Sequence, residues 1–422
     1  MRKIKSILCI GSAAVALFLA SCKGGYNGQL LGEQDRPRWN PITPYGMVFI
    51  PSGVLHIGPS DQDVNATSNS RAKQVFIVVF YMDDTEITNN EYRQFVNWVR
   101  DSVAHTMLEH TTEDANSGKT QLDWKQKIDW KKTEGNEQLE EIFIPENQRY
   151  WGKKELDNNK LWYNYDWIDY KAAALTKNRN VDRSKFIRHE KCLVYPDTLV
   201  WVRDFTYSYN EPMTRNYFHH PAFDDYPVVG VTWGQANAFS AWRTRLWEDY
   251  KTLKGEPLMD VFRLPTEHEW EYAARGGLKN SPYPWGGPYV RNSKGCVLAN
   301  FKPGRGNYPE DGGFYTVRAD AYWPNNYGLY NMAGNAAEWT SSAFYENSYS
   351  FIHDLNPDIR YDADKNESET LKRKVIRGGS WKDIGYYIEN GTRHWEYADS
   401  AKSYVGFRCI TTFLGRDISD KP

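Results

Sequence analysis

The chain of 422 residues is short of cysteine, of net charge and of long apolar runs. Its five cysteines, Cys9, Cys22, Cys192, Cys296 and Cys409, form no CxxC pair, so neither a zinc ribbon nor a dithiol redox motif is present. After the N-terminal segment no run of residues is long and apolar enough to cross a bilayer. The formal net charge is −2, and loss of Arg2, Lys3 and Lys5 with a signal peptide would take it to −5, which gives no reason to expect nucleic-acid binding. Familiar catalytic patterns also fail. His268-Glu269 would need a second histidine at position 272 to make a zincin, and Tyr272 stands there. Ser380 has no G-x-S-x-G elbow, and Gly304-Arg305-Gly306 is too short for a phosphate loop. Asp362-x-Asp364-x-Asn366 opens like a calcium loop, but Glu367 takes the place of the turn glycine and Arg373 that of the closing glutamate. His219-His220 has no acid or thiol at ligand spacing.

What is present points to a folded body. Hydrophobic residues make up 40% and charged residues 25%. Aromatics reach 15%, with 17 Trp and 29 Tyr, which suits a loop-rich fold pinned by large side chains or an extensive contact surface. The N-terminus reads as an address: Met1 to Lys5 is basic, Ile7 to Leu19 is a short apolar stretch, and Leu19-Ala20-Ser21-Cys22 matches a lipobox. Cys22 is then the expected lipidation site, and an acylated cysteine anchors the chain stably when it carries more than one acyl chain. The expected layout is a signal peptide over 1–21, a Gly- and Pro-bearing tether over 22–46, one domain over 47–413 and a tail over 414–422. The lack of an acidic cluster after Cys22 favours the periplasmic face of an outer membrane.

Within the domain, Met47 to Ile50 and Phe76 to Met82 read as strands. Thr88 or Asn89 caps a helix whose buried stripe is Tyr92, Phe95, Val96, Val99 and Val103. A polar but aromatic stretch over about 101–225 reads as an insertion. Its Trp124, Trp130, Trp151, Trp162 and Trp167 either pack on the domain's own flank or form a partner-binding surface. Thr232 caps a second helix with Ala236, Phe239, Trp242 and Leu246 on its packed face. Thr266-x-x-Glu269 is a capping box, and Gly276-Gly277 ends that helix. Val405 to Thr411 reads as a closing strand after the turn at Gly378-Gly379.

Three motifs carry a resemblance. They are Arg263-Leu-Pro-Thr-Glu-His-Glu-Trp-Glu-Tyr272, Asn331-x-x-Gly334-Asn335-x-x-Glu338-Trp339, and Arg377-Gly-Gly-Ser-Trp381 followed by Gly406-Phe-Arg-Cys409. Together they resemble the formylglycine-generating-enzyme (sulfatase-modifying factor) family. The resemblance implies an α+β, loop-rich fold related to C-type lectins, with little regular secondary structure. It also implies a copper-binding cysteine pair after Ser380, but here those two positions are Asp383 and Ile388. A soft thiolate pair suits Cu(I), whereas a carboxylate and an isoleucine do not, so no copper is expected and no catalytic residue is assigned. Calcium is implied at Asn331, Gly334, Ala336 and Glu338, and at a second set of Asn300, Phe301 and Asp311, all hard oxygen donors. Some members pair the cysteine of Gly-Phe-Arg-Cys with one at the position of Ala274, which leaves Cys409 a buried free thiol.

The lipobox, the aromatic insertion and the cysteine-less loop further resemble the gliding-motility and type IX secretion lipoproteins built on this fold. That resemblance implies a non-enzymatic component of a large periplasmic ring, self-associated and joined to a GldN/PorN-type partner at the outer membrane. A calcium-dependent glycan or peptide binder and a formylglycine-generating oxidase are the alternatives. The missing cysteine pair argues against the oxidase.

Overall fold

Two small sheets, one joining strands from both ends of the domain and the other built from its C-terminal part, meet around one short helix. The computed structural model describes residues 41–58, 72–113, 120–130, 137–204, 213, 216–304, 306–364 and 366–415. Residues 41–414 form one compact unit. Cys22, the expected signal segment and the expected tether up to residue 40 lie outside the described residues. Among the described residues no helix is long and apolar enough to cross a membrane.

The first sheet holds β1 (Met47–Ile50), β4 (Phe80–Asp83) and β13 (Ile410–Thr412), with β4 in the middle and both neighbours antiparallel to it. Between β1 and β4 runs a separate hairpin of β2 (Gly53–Ile57) and β3 (Lys73–Ile77). The apolar run from Phe76 to Met82 is therefore two strands, because its halves pair with different partners. The second sheet has the order β11 (His394–Tyr397), β10 (Arg373–Arg377), β9 (Ala337–Ala343), β12 (Val405–Gly406). β12 lies parallel to β9, aligning Gly406 with Glu338. The expected closing strand over Val405 to Thr411 is likewise split, β12 serving the second sheet and β13 the first. The break falls at Phe407, Arg408 and Cys409, whose side chains are all buried.

Three helices pack on these sheets. α1 (Asn89–Met107) and α2 (Trp233–Lys254) each begin with a capping box, Thr88 with Glu91 and Thr232 with Gln235. Tyr92, Phe95, Val96 and Val99 of α1 are buried, as the spacing predicts, and Tyr92 stacks on Phe239 of α2 with ring centroids 5.7 Å apart. Leu246, expected on the packed face of α2, is exposed. α3 (Glu267–Arg275) is capped by Thr266 and Glu269 and stops at Gly276 in the left-handed region. It is buried on all sides. Trp270, Ala273 and Ala274 join Ile50, Leu55, Ile77, Phe80, Met82 and Ile410 in one core.

The aromatic stretch is built from two hairpins, β5 (Thr111–Glu113) with β6 (Thr120–Leu122) and β7 (Trp162–Ile168) with β8 (Ile187–Leu193). Trp124 stacks on Trp98, Trp130 donates its indole N–H to Asp101 at 3.0 Å, and Lys191 lies over Trp162. Arg360 lies over Trp167. Trp162 and Trp167 are an odd number of residues apart on one strand and so face opposite sides of the hairpin. Trp151, 83% exposed at a φ of 55°, stands at a loop tip beside Tyr150. The five tryptophans are thus mostly tied to the domain itself rather than gathered on one surface.

Candidate functional site

The site grows from charges that α3 carries into the core. Burying a carboxylate is costly unless a cation and hydrogen bonds compensate it. Each α3 glutamate has such a partner: Glu267 with Arg393, Glu269 with Arg263, and Glu271 with both Arg275 and Arg377. The arginine charges outweigh the desolvation penalty and hold all three carboxyls below the usual range. Burial lowers the His268 pKa, and its ring packs against Tyr349, so the histidine belongs to the core.

Next to α3, β9 presents Glu338, whose two carboxylate oxygens accept from Arg408 at 2.6 and 2.7 Å. One of them also accepts from the Trp270 indole at 2.7 Å. Arg408 donates further to the carbonyls of Asp83 and Tyr330, which ties both sheets together. Asn331 and Asn335, both at positive φ, donate their amides to buried Glu86 at 3.1 and 2.9 Å. Burial, then the neighbouring Glu338, raises the Glu86 pKa, and Arg408 opposes them. The first calcium set is therefore drawn into a protein network. Arg408 already pairs with Glu338, and the Asn331 NH2 donates to Glu86 and to the Ala319 carbonyl, while the oxygen of that amide is the atom that would face a cation.

The second set is arranged differently. Asp311 accepts from the backbone N–H of Phe301 at 2.7 Å and of Gly313 at 3.1 Å. Gly313 also abuts Asn300, and a Cβ there would stand 2.9 Å from Asn300 Oδ1. That oxygen is buried and has no hydrogen-bond partner. A lone buried acceptor beside a carboxylate fits a hard cation.

The loop after β10 is where the family's copper cysteines are expected. Gly378 and Gly379 have φ of 87° and 65°, and a Cβ on Gly379 would come within 2.6 Å of the Tyr387 carbonyl. Ser380 is fully buried and donates its hydroxyl to Asp383 at 2.6 Å. Ile388 is fully buried in an apolar cluster with Tyr283, Val297, Phe301 and Ala333. The Ile388 side chain cannot ligate a metal, and the Asp383 carboxylate is a hard donor. A thiolate-type copper site does not fit these residues.

Beside this loop lies a cleft of about 190 Å³, bordered by Gly378, Gly379, Lys382, Asp383, His394 and Tyr404. Lys382 places its ammonium 3.1 Å from the centre of the Tyr404 ring. Desolvation lowers its pKa, with nearby Asp383 and Asp204 opposing. Tyr404 donates its hydroxyl to Glu396 at 2.9 Å. Sequence reasoning missed Lys382, Glu86 and Arg408. Glu86 and Arg408 left a trace, each inside a family-like stretch, Glu86-Ile-Thr-Asn and Gly-Phe-Arg-Cys, but Lys382 left none.

Residues 34–413 match the family described as sulfatase-modifying factor enzyme 1-like domain. The chain belongs to this family. The formylglycine-generating enzyme of Bos taurus is 29% identical over 384 residues, covering 90% of this chain and 78% of the relative. That of Streptomyces coelicolor is 32% identical over 189 residues, covering 44% of this chain and 52% of the relative. The inactive C-alpha-formylglycine-generating enzyme 2 of Mus musculus is 33% identical over 224 residues, covering 50% and 59%. Among solved structures, PvdO from Pseudomonas aeruginosa aligns with a TM-score of 0.45 at 15% identity, covering 87% of this chain and 94% of the other. These relatives overturn two expectations. A non-enzymatic role and a place in a type IX secretion ring were expected, yet relatives from animals and bacteria are named as enzymes, and none of those named here is named for secretion or gliding.

Proposed function

We propose that this family member is an enzyme that modifies an amino-acid side chain of a polypeptide held at the Gly378–Gly379 cleft, without thiolate-bound copper. The observation that carries the reading is an intact family frame, Glu338 with Arg408 and Trp270, beside a cleft that holds Lys382. The relatives named as formylglycine-generating enzymes support it, since formylglycine is itself an altered amino-acid residue. Desolvation lowers the Lys382 pKa against the pull of Asp383 and Asp204, and its amine is the group in the cleft that can exchange a proton with a substrate thiol or hydroxyl. Tyr404 orients the amine through its ring, and the Glu396 hydrogen bond holds Tyr404. The part-buried Ser380–Asp383 bond fixes the loop's shape.

The test is to incubate the purified full-length protein with peptides that carry Cys, Ser or Lys, and to follow peptide mass together with aldehyde capture. A mass change is expected that disappears in Lys382→Met while the unfolding midpoint stays put. Failure of the wild-type protein to alter any of the peptides would sink the reading.

We also propose that Asn300, the Phe301 carbonyl and Asp311 hold calcium in support of the loop. The support is the unpartnered Asn300 Oδ1. Calcium at a hundred times its dissociation constant should raise unfolding stability by about 2.7 kcal/mol. Asn300→Ala should remove that calcium dependence, and equal unfolding curves with calcium and with chelator would count against the site.

A further inference from the structure

Lys382 is shared by two cavities. Beyond the cleft lies a second one of about 340 Å³, walled by Tyr308, Phe314, Tyr315 and Trp381 and bordered by Lys302 and Lys382. Its walls are braced. Trp381 stacks on Trp201 with centroids 6.1 Å apart, and Tyr315 meets Trp381 edge-on at 5.3 Å. Phe314 and Tyr308 nonetheless leave 55% and 37% of their surface in water. Exposed aromatic rings in a concave, braced pocket form an apolar receptor of ligand size.

The charges around it are unbalanced. Asp204 also lines the pocket, but its carboxylate accepts from the backbone N–H and the hydroxyl of Ser403. Lys302 rests its ammonium 4.6 Å from the centre of the Tyr308 ring, and Lys382 rests on Tyr404. Among the described residues neither lysine forms an ion pair with a carboxylate. Lys382 stands among Asp383, Asp204 and Glu396, so the positive charge left at the rim for a ligand's anion is that of Lys302.

We infer that this pocket selects the substrate: it takes an aromatic side chain of a polypeptide whose neighbouring residue carries a carboxylate. The inference rests on the proposed enzyme function, because Lys382 joins the pocket to the cleft where the modified side chain would lie. The ring would pack on Phe314 and Trp381, and the carboxylate would meet Lys302 at the rim.

The experiment is calorimetric titration of the full-length protein with three eight-residue peptides that differ only at their centre, Phe-Glu, Ala-Glu and Phe-Gln. The Phe-Glu peptide should bind at least about tenfold tighter than either of the others. Phe314→Ala and Lys302→Gln, both at exposed positions, should each erase one part of that preference without lowering the unfolding midpoint. Equal binding of the three peptides, or a preference untouched by both substitutions, would overturn the inference. Selective binding without any turnover would leave the pocket standing and remove the enzyme reading. Turnover of all three peptides alike would do the reverse.

Discussion

Glu338 on β9 and Asp383 on the loop after β10 are both carboxylates, and their surroundings could hardly differ more. Glu338 is fully buried, with Arg408 and Trp270 holding its oxygens and Arg408 reaching on to carbonyls of the first sheet. Asp383 is half-buried and answers to one hydroxyl, that of Ser380. The frame around Glu338 is a closed arrangement in which each group compensates another, so a single change leaves a charge stranded. The loop around Asp383 borders open space, so its residues can change without unfolding what lies beneath. Such a division lets one scaffold carry different chemistries: the frame fixes where the cleft is, and the loop decides what it does.

The comparison can be broken most forcefully at Arg408. Arg408→Met strands Glu338 in the core and should cost about 3–5 kcal/mol in denaturant unfolding. A loss below about 1 kcal/mol would mean that the frame does not depend on this pair. A smaller effect is expected from rebuilding the loop. Asp383→Cys with Ile388→Cys removes part of a buried apolar side chain and should cost about 1–3 kcal/mol. If only the loop separates this chain from thiolate copper chemistry, the double variant should bind Cu(I) in a chelator competition where the wild-type protein does not. Absence of binding in a folded double variant would show that the backbone has diverged too.

The smallest expected effect is chemical. Burial, then the nearby Asp83, pushes the Cys409 thiol up to about 12 from 9.0, whereas Cys296 is exposed. Iodoacetamide at pH 8 should therefore label Cys296 first and leave Cys409 untouched in the native protein. Since the folded value lies above the unfolded one, Cys409 stabilises the fold fully below pH 9.0, and that contribution is lost as pH rises through about 12. Rapid native labelling of Cys409 would place it outside the core.

What the sequence discloses follows the distance over which each feature is made. The caps at Thr232 and Thr266 are legible because a side chain meets a backbone group three residues on. The stripe on α1 is legible because helical period alone places Tyr92, Phe95, Val96 and Val99 on one face. The pairing of Glu338 with Arg408 is not, because its members are 70 residues apart and come together only when β12 aligns with β9. The split strands escape notice for a related reason. An apolar run shows that residues are buried, but not that Phe76 pairs in one sheet and Phe80 in another. Lys382 was invisible as a site residue because its surroundings are assembled from Tyr404, Asp204 and the glycine turn, none of which marks it locally. The two calcium sets look equally plausible as oxygen donors in the sequence. They part company only when Arg408 is seen on Glu338 and Asn300 Oδ1 is seen without a partner.

The placement of β13 has a consequence for how the protein is made. β4 pairs on one side with β1, which precedes it in the chain, and on the other with Ile410–Thr412, which is made long after it. Until then the inner strand of the first sheet presents an open edge, and Glu338 waits without Arg408. Until β13 has been made the chain therefore carries an unsealed strand, and until Arg408 has been made an uncompensated acid, so products truncated before Arg408 should be recognised by quality control as unfinished.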